Sequence, residues 1–243
     1  MIDINSLSCS YDDKIILKDI DIKIVNHLSI LGVNGSGKST LAKSICGAIK
    51  YDGDIVIDGD NIKDIPLIQK AKKISYIPTK LEVYDTYINV DEFILLGRFI
   101  HKKSFYSYTK EDEAIKDKAI KLLKIQHLKN LSLCSLSSGE QQLVQIAHAL
   151  TQQSKTIIFD EPTANLDPKN TKTIARHIKA LKKHHNIILI THDIHLAKYI
   201  QNEVAFIKDK KLLHFEKSDV FFESKNLSKL YGVEFDSLEV RYD

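Results

Sequence analysis

The chain has 243 residues, enough to bury a sizeable core in one large domain or two lobes. Its 35 Lys and Arg stand against 32 Asp and Glu, and since only Arg98, Arg176 and Arg241 are arginine, the mild positive balance comes from lysine, which is poorly suited to forked recognition of nucleic-acid phosphates or base edges. Cys9, Cys46 and Cys134 are too few and too scattered for a disulfide framework or a local metal site, and no apolar run approaches the roughly 18 residues of a membrane-spanning helix, nor does the start carry a signal pattern.

Ile2, Ile4 and Leu7 alternate with polar residues before the turn-like Tyr11, Asp12 and Asp13, and Ile20, Ile22 and Ile24 alternate again. Both stretches read as half-buried antiparallel strands. Leu28 to Leu31 is instead nearly continuously apolar, as a strand covered on both faces should be, and a helix-like segment runs from Leu41 to Ile49. Between them stand Gly32, Val33, Asn34, Gly35, Ser36, Gly37, Lys38, Ser39 and Thr40, a match to G-x-x-x-x-G-K-[ST] in its required strand-loop-helix setting. The glycines let successive N–H groups curl toward one anion, and a helix start adds its free donors and partial positive charge. Lys38 supplies a full charge to the outer phosphates, while the Ser39 hydroxyl suits a hard Mg²⁺ ion. These residues therefore predict a phosphate cradle.

Ile74 to Ile77 is a further strand. From about Thr79 to Leu150 strand signals give way to helical spacing: Ile115, Ala119 and Leu122 fall at i, i+4, i+7, and Leu143, Ile146, Ala147 and Leu150 form a second stripe. This reads as a helical lobe inserted into a sheet domain. Ser137, three residues before Glu140 and ahead of that second stripe, predicts a capping box, and a capped helix with Gly139 in its first turn is also an anion site. The runs Ile157 to Phe159 and Ile187 to Ile190 are two more buried strands, so a mainly parallel sheet of the α/β kind is expected. Asp160 and Glu161 end the first of them, a costly position unless a cation or a reaction employs the two acids. Asp167 followed by Pro168 predicts the N-cap and first turn of a helix carrying Ile174, Ile178 and Leu181. The clusters Lys70, Lys72, Lys73 and Lys182, Lys183, His184, His185 have no interleaved aromatics and read as solvated helix faces, so no nucleic-acid partner is expected. Val204 to Lys208 and Lys211 to Phe215 are short strand candidates, followed by a polar helical tail.

Taken together, Gly32 to Thr40, the stretch Leu136 Ser137 Ser138 Gly139 Glu140 Gln141 Gln142, the Thr156 to Glu161 segment, Pro162 to Asp167 and Thr191 His192 Asp193 resemble, in order, the Walker A, signature, Walker B, D-loop and switch motifs of the ATP-binding-cassette (ABC) ATPases. The resemblance implies a P-loop NTPase fold with a mainly parallel core, an antiparallel β subdomain and an inserted α-helical subdomain. It further implies one domain over residues 1–243, with a RecA-like core at about 1–78 and 151–215, the helical subdomain at about 79–150 and a tail at about 216–243. ATP and Mg²⁺ would be the ligands, with Asp160 and Ser39 on the metal, Glu161 as general base and His192 on the γ-phosphate. Tyr11, 27 residues before Lys38, stands where the family stacks an aromatic on adenine. Ser137, Ser138, Gly139 and Glu140 would face the ATP of a second copy, so a homodimer is implied, as are integral-membrane permease subunits and, indirectly, a substrate-binding protein, at the cytoplasmic side of the membrane.

Three departures stand out. Ser138 replaces a glycine, Asn165 replaces an alanine, and Pro78, Thr79 and Lys80 lie where the family carries a glutamine that touches the metal. Thr79 has an oxygen but a shorter reach, so hydrolysis at a reduced rate is expected. Asp91 to His101, with Gly97, Arg98 and His101, is similar to ATPases serving ferric-siderophore, haem and cobalamin importers, as is Tyr231 Gly232 Val233. An importer of iron complexes is the leading expectation. The alternatives are another ABC transporter ATPase, for haem, cobalamin or a metal ion, and a nucleotide-binding regulatory module with weak hydrolysis.

Overall fold

The computed structural model describes residues 1–81, 87–102, 107–215, 217–236 and 242. Glu216 and residues 237–241 and 243, part of the expected tail, lie outside the described residues. Strands β1 (Ile2–Tyr11) and β2 (Lys14–Ile24) form the expected antiparallel pair, and β3 (Leu28–Gly32) leads into α1 (Lys38–Ile45). The α1 helix starts three residues before the apolar run because the phosphate-loop lysine belongs to its first turn. It also ends sooner than expected, at Cys46, since Gly47 takes a left-handed φ of 66°. Next come β4 (Asp52–Ile57), β5 (Asp60–Asn61), α2 (Leu67–Lys73) and β6 (Ile74–Ile77). Helices α3 (Val90–Leu96), α4 (Lys110–Leu123) and α5 (Ser138–Thr151) precede β7 (Thr156–Asp160). Then α6 (Pro168–Leu181), β8 (Asn186–Ile190), α7 (Ile194–Ile200), β9 (Glu203–Lys208), β10 (Lys211–Phe215), α8 (Ser218–Phe221) and α9 (Ser224–Tyr231) complete the described chain.

Among the described residues the strands form two sheets, one antiparallel in the order β2-β1-β4-β5 and one in the order β10-β9-β3-β8-β7-β6. In the second, every pairing is parallel except that of edge strand β10 with β9. Strands β3, β7 and β8 are buried almost throughout, as their nearly continuous apolar runs require. One face of this sheet packs, through Ile158, Ile188 and Ile190, on α1 and the antiparallel sheet. The other, through Ile157, Phe159, Ile187 and Leu189, packs on α6 and the α3-α4-α5 unit.

Two expectations need correcting. The buried face of α4 is Asp112, Lys116, Ala119, Ile120 and Leu123, about one residue round from the expected stripe, and Leu122 is exposed. The cause is polar: Asp112 is held by Arg98, and Lys116 bonds Asp91 and Glu113, so charged groups satisfied by partners take inward positions. The tail is not merely polar, because Phe221, Phe222, Leu227 and Leu230 bury against Leu31, Ala197 and Phe206.

The segment Gly97 to His101 has a packing explanation. A Cβ on Gly97 would lie 2.0 Å from Thr151 Oγ1 and 2.5 Å from the His148 carbonyl, so only glycine lets α3 approach α5 this closely. Arg98 donates to the Thr151 carbonyl at 2.8 Å and to Asp112 Oδ1 at 2.8 Å, and His101 Nε2 lies 2.9 Å from the Gln152 carbonyl. These groups cap the carbonyl end of α5, which is buried on nearly every side.

Candidate functional site

The carboxyl ends of β3, β8 and β7 are neighbours in the sheet, and each delivers a sequence-predicted segment to one edge, where open α/β sheets bind ligands. From β3 comes the Gly32 to Thr40 loop. Gly32, Gly35 and Gly37 have φ of 153°, 77° and 102°, and a Cβ on Gly32 would come within 2.7 Å of the Ile207 carbonyl. Lys38 is buried and donates to the carbonyls of Gly32 at 3.0 Å and Val33 at 3.2 Å. Burial pushes its ammonium below the ordinary lysine value, partly offset by Glu161 and Asp160. Ser36 Oγ is buried without a hydrogen-bond partner among the described residues, a donor suited to an incoming anion. Phosphate fits this loop.

From β7 come Asp160, only 2% exposed, and Glu161. Ser39 Oγ donates to Asp160 Oδ1 at 3.0 Å, placing a hydroxyl and a carboxylate side by side. This pair matches the sparse oxygen set Mg²⁺ takes when phosphates and waters complete its shell; among the described residues there is no cluster of three or more His, Cys, Asp or Glu that would favour a softer metal. Glu161 adopts a left-handed φ of 50°, and its N–H donates to the Ile190 carbonyl at 2.8 Å. Its Oε2 lies 2.9 Å from His192 Nδ1, and Oε1 is 3.8 Å from Lys38 Nζ. His192 follows β8 with its ring half exposed, so Glu161, His192 and Lys38 lie together at this sheet edge.

One contact was not foreseen. Tyr76 on β6 donates its hydroxyl to Asp160 Oδ2 at 2.7 Å. Burial and the adjoining Asp160 carboxylate raise the phenol above its ordinary range, so it acts as the donor. The available signal was alternation: Tyr76 pairs with Ile158, and Asp160, two residues further on, shares that face. Thr79 lies beyond the end of β6, exposed, and no hydrogen bond of its side chain is found among the described residues.

Tyr11 ends β1 with 48% of its surface exposed, so it is no core tyrosine. It lines a shallow depression with Lys14, Ile15 and Lys210, and these three also border the groove that holds Val33, Asn34, Gly35 and Ser36. Ser137 caps α5 by accepting from Glu140 N–H at 3.4 Å, while Glu140 Oε2 accepts from Ser137 N–H at 2.8 Å, which lowers the Glu140 carboxyl from its usual value. Ser138 is the first residue of α5 and is absent from the left-handed positions, so a glycine is not required there. A Cβ on Gly139 would sit 2.6 Å from the end of the Asn170 side chain, which would have to turn aside. Asn165 has φ of 62°, a conformation asparagine tolerates better than alanine. Asp167 caps α6 through Lys169 and Asn170 N–H groups, which hold its carboxyl low. Among the described residues no hydrogen bond joins Ser137, Ser138 or Gly139 to the chain's own Gly32 to Thr40 loop.

Residues 17–164 match the family model described as ABC transporter. An uncharacterised ABC transporter ATP-binding protein of Methanocaldococcus jannaschii is 34% identical over 96% of this chain and 92% of its own length. A Helicobacter pylori protein named "Probable iron chelatin transport ATP-binding protein" is 32% identical over 98% of this chain and 95% of its own. A dimeric bacterial ABC transporter cassette superposes with a TM-score of 0.78 at 26% identity, over 89% of this chain and 98% of that one. With the phosphate loop, the paired acids and the switch histidine on one sheet edge, the chain belongs to the ABC transporter family and is one of its ATPases.

Proposed function

We propose that this ATPase powers an importer of iron complexes of the ferric-siderophore kind, working as two copies against integral-membrane permease subunits at the cytoplasmic side of the membrane. A substrate-binding protein would present the cargo to the permease. The observation that carries the ATPase part is the convergence of Lys38, Ser39, Asp160, Glu161 and His192 at the ends of three adjacent strands. The cargo assignment leans on the iron-chelatin relative. Gly97, Arg98 and His101 support the likeness in helix packing and say little about cargo.

In this reading residues 1–243 act as one domain, divided at about 78, 151 and 216 into core, helical subdomain and tail. Gly32, Val33, Asn34, Gly35, Ser36, Gly37 and Thr40 cradle the phosphates with Lys38, and Tyr11 stacks on adenine. Ser39 and Asp160 would hold Mg²⁺, which supplies charge compensation to the phosphates when bound. Glu161 takes a proton from the attacking water as the bond from the γ-phosphorus to its bridging oxygen breaks, leaving ADP and inorganic phosphate. His192, already bonded to Glu161, orients that carboxylate and contacts the γ-phosphate. Ser137, Ser138, Gly139 and Glu140 of the second copy close the opposite side, with Asp167 beside the contact. For the permease, Leu67, Ile68 and Phe99 offer exposed apolar surface on two adjoining elements, α2 and the turn Phe99–His101.

The exposed Thr79 favours one second reading, a regulatory module that binds nucleotide and scarcely turns it over. Steady-state ATPase activity of the complex with its permease separates the two. The transport reading predicts turnover roughly 10²–10⁴-fold above that of Glu161→Gln, the range for loss of a general base. Turnover no higher than that variant, with ATP still bound, would establish the regulatory reading.

A further inference from the structure

Tyr76 belongs to none of the nucleotide motifs, yet among the described residues it makes one of the two side-chain hydrogen bonds to the most deeply buried acid of the site. Ser39 Oγ donates to Asp160 Oδ1 at 3.0 Å and the Tyr76 hydroxyl to Oδ2 at 2.7 Å. The arrangement follows from register. Tyr76 pairs with Ile158 across the β6-β7 ladder, and Asp160 is the next residue of β7 on that face, so the long phenol reaches diagonally to the carboxylate. At 2% exposure Asp160 has little access to water, and an oxygen left unpaired there would be costly.

We propose that Tyr76 is a positioning residue for divalent-metal binding: by holding Oδ2 it fixes the Asp160 carboxylate so that Oδ1 stays beside Ser39, where the cation would be received. This rests on the reading of Ser39 and Asp160 as the Mg²⁺ pair. The two donors have different duties. The Ser39 hydroxyl can point its proton at Oδ1 while its lone pairs face a cation. The phenol donates to the other oxygen, Oδ2, so its duty is to orient the carboxylate. Outer hydrogen bonds of this kind set the direction of metal-ligating carboxylates. Thr79, three residues further along and exposed, has no hydrogen bond to Asp160, so the fixed contact from this strand comes from Tyr76.

Tyr76→Phe removes only the oxygen and keeps the ring. Mn²⁺ binding to the ATP-loaded full-length chain, followed by electron paramagnetic resonance, should weaken about tenfold, the low end for loss of an outer-shell partner because phosphate oxygens also hold the ion. ATP affinity in EDTA should stay at the wild-type value, while the melting temperature falls by a few degrees because the buried Oδ2 loses its donor. Mn²⁺ affinity within twofold of wild type would overturn the proposal. So would a parallel loss of metal-free ATP binding, which would make Tyr76 a packing residue only. Because the readout is metal binding, a wild-type chain that binds Mn²⁺ and ATP without turning ATP over would sink the transport reading and leave this test intact.

Discussion

At the scale of single residues, the candidate site holds its polar groups in two small sets of contacts. Lys38 bonds the carbonyls of its own loop, Glu161 lies between His192 and Lys38, and Asp160 is shared by Ser39 and Tyr76. Incoming phosphate has to compete for Lys38, and the buried, lowered ammonium gains most from that exchange because an anion relieves its desolvation. The weak position is 79. A glutamine there would restore the longer amide side chain that the family carries at this place, where Thr79 makes no hydrogen bond among the described residues. We expect Thr79→Gln to raise turnover by about tenfold, equivalent to one hydrogen bond of roughly 1.4 kcal/mol made in the transition state. Steady-state phosphate release measures it, and turnover unchanged from wild type would show that the short side chain does not limit the reaction.

At the scale of elements, the helical unit is held by buried charge as well as by apolar packing. Arg98 ties the end of α3 to the start of α4 and the end of α5, and both it and Asp112 are largely buried. Burial alone would raise the Asp112 carboxyl, but hydrogen bonds from Arg98 and Thr109 outweigh it and bring the value down to about 2. A carboxyl lowered by folding contributes stability above its unfolded value of about 3.9 and loses it as pH falls toward the folded one, a contribution of about 2 kcal/mol for this shift. The chain should therefore lose stability between about pH 4 and pH 2, and Asp112→Asn should lower stability at pH 7 while flattening that loss. Urea unfolding at several pH values reads both effects, and a variant with the wild-type acid slope would contradict the assignment. How far the elements were legible follows from the same chemistry. The buried strands β3, β7 and β8 announce themselves as nearly continuous apolar runs, whereas β4 went unread because Asp52, Gly53 and Asp54 break its alternation. The face of α4 was misjudged because partnered Asp112 and Lys116 point inward, which apolar periodicity cannot register.

At the scale of the whole molecule, Gly32 to Thr40, Asp160 with Glu161, and His192 could be placed at strand ends from the sequence because each follows a nearly continuous apolar run. The contact of Tyr76 could not be read this way, since it depends on which strand lies beside β7, and pairing order is a property of the assembled sheet. The tail shows the same limit. Its aromatic residues acquire meaning only from the surface of Phe206 and Leu31 that they cover, and Tyr242 further donates to Asp193, the cap of α7 next to His192. Ser137, Ser138 and Gly139 begin a capped helix, and under the proposed function they would face the nucleotide of a second copy. The most direct test is the mass of the Glu161→Gln chain by light scattering, with its hydrolysis blocked. With Mg²⁺ and ATP the mass should double, and with ADP or in EDTA it should return to that of one chain; a single-chain mass at saturating, demonstrably bound MgATP would contradict a nucleotide site shared between two copies.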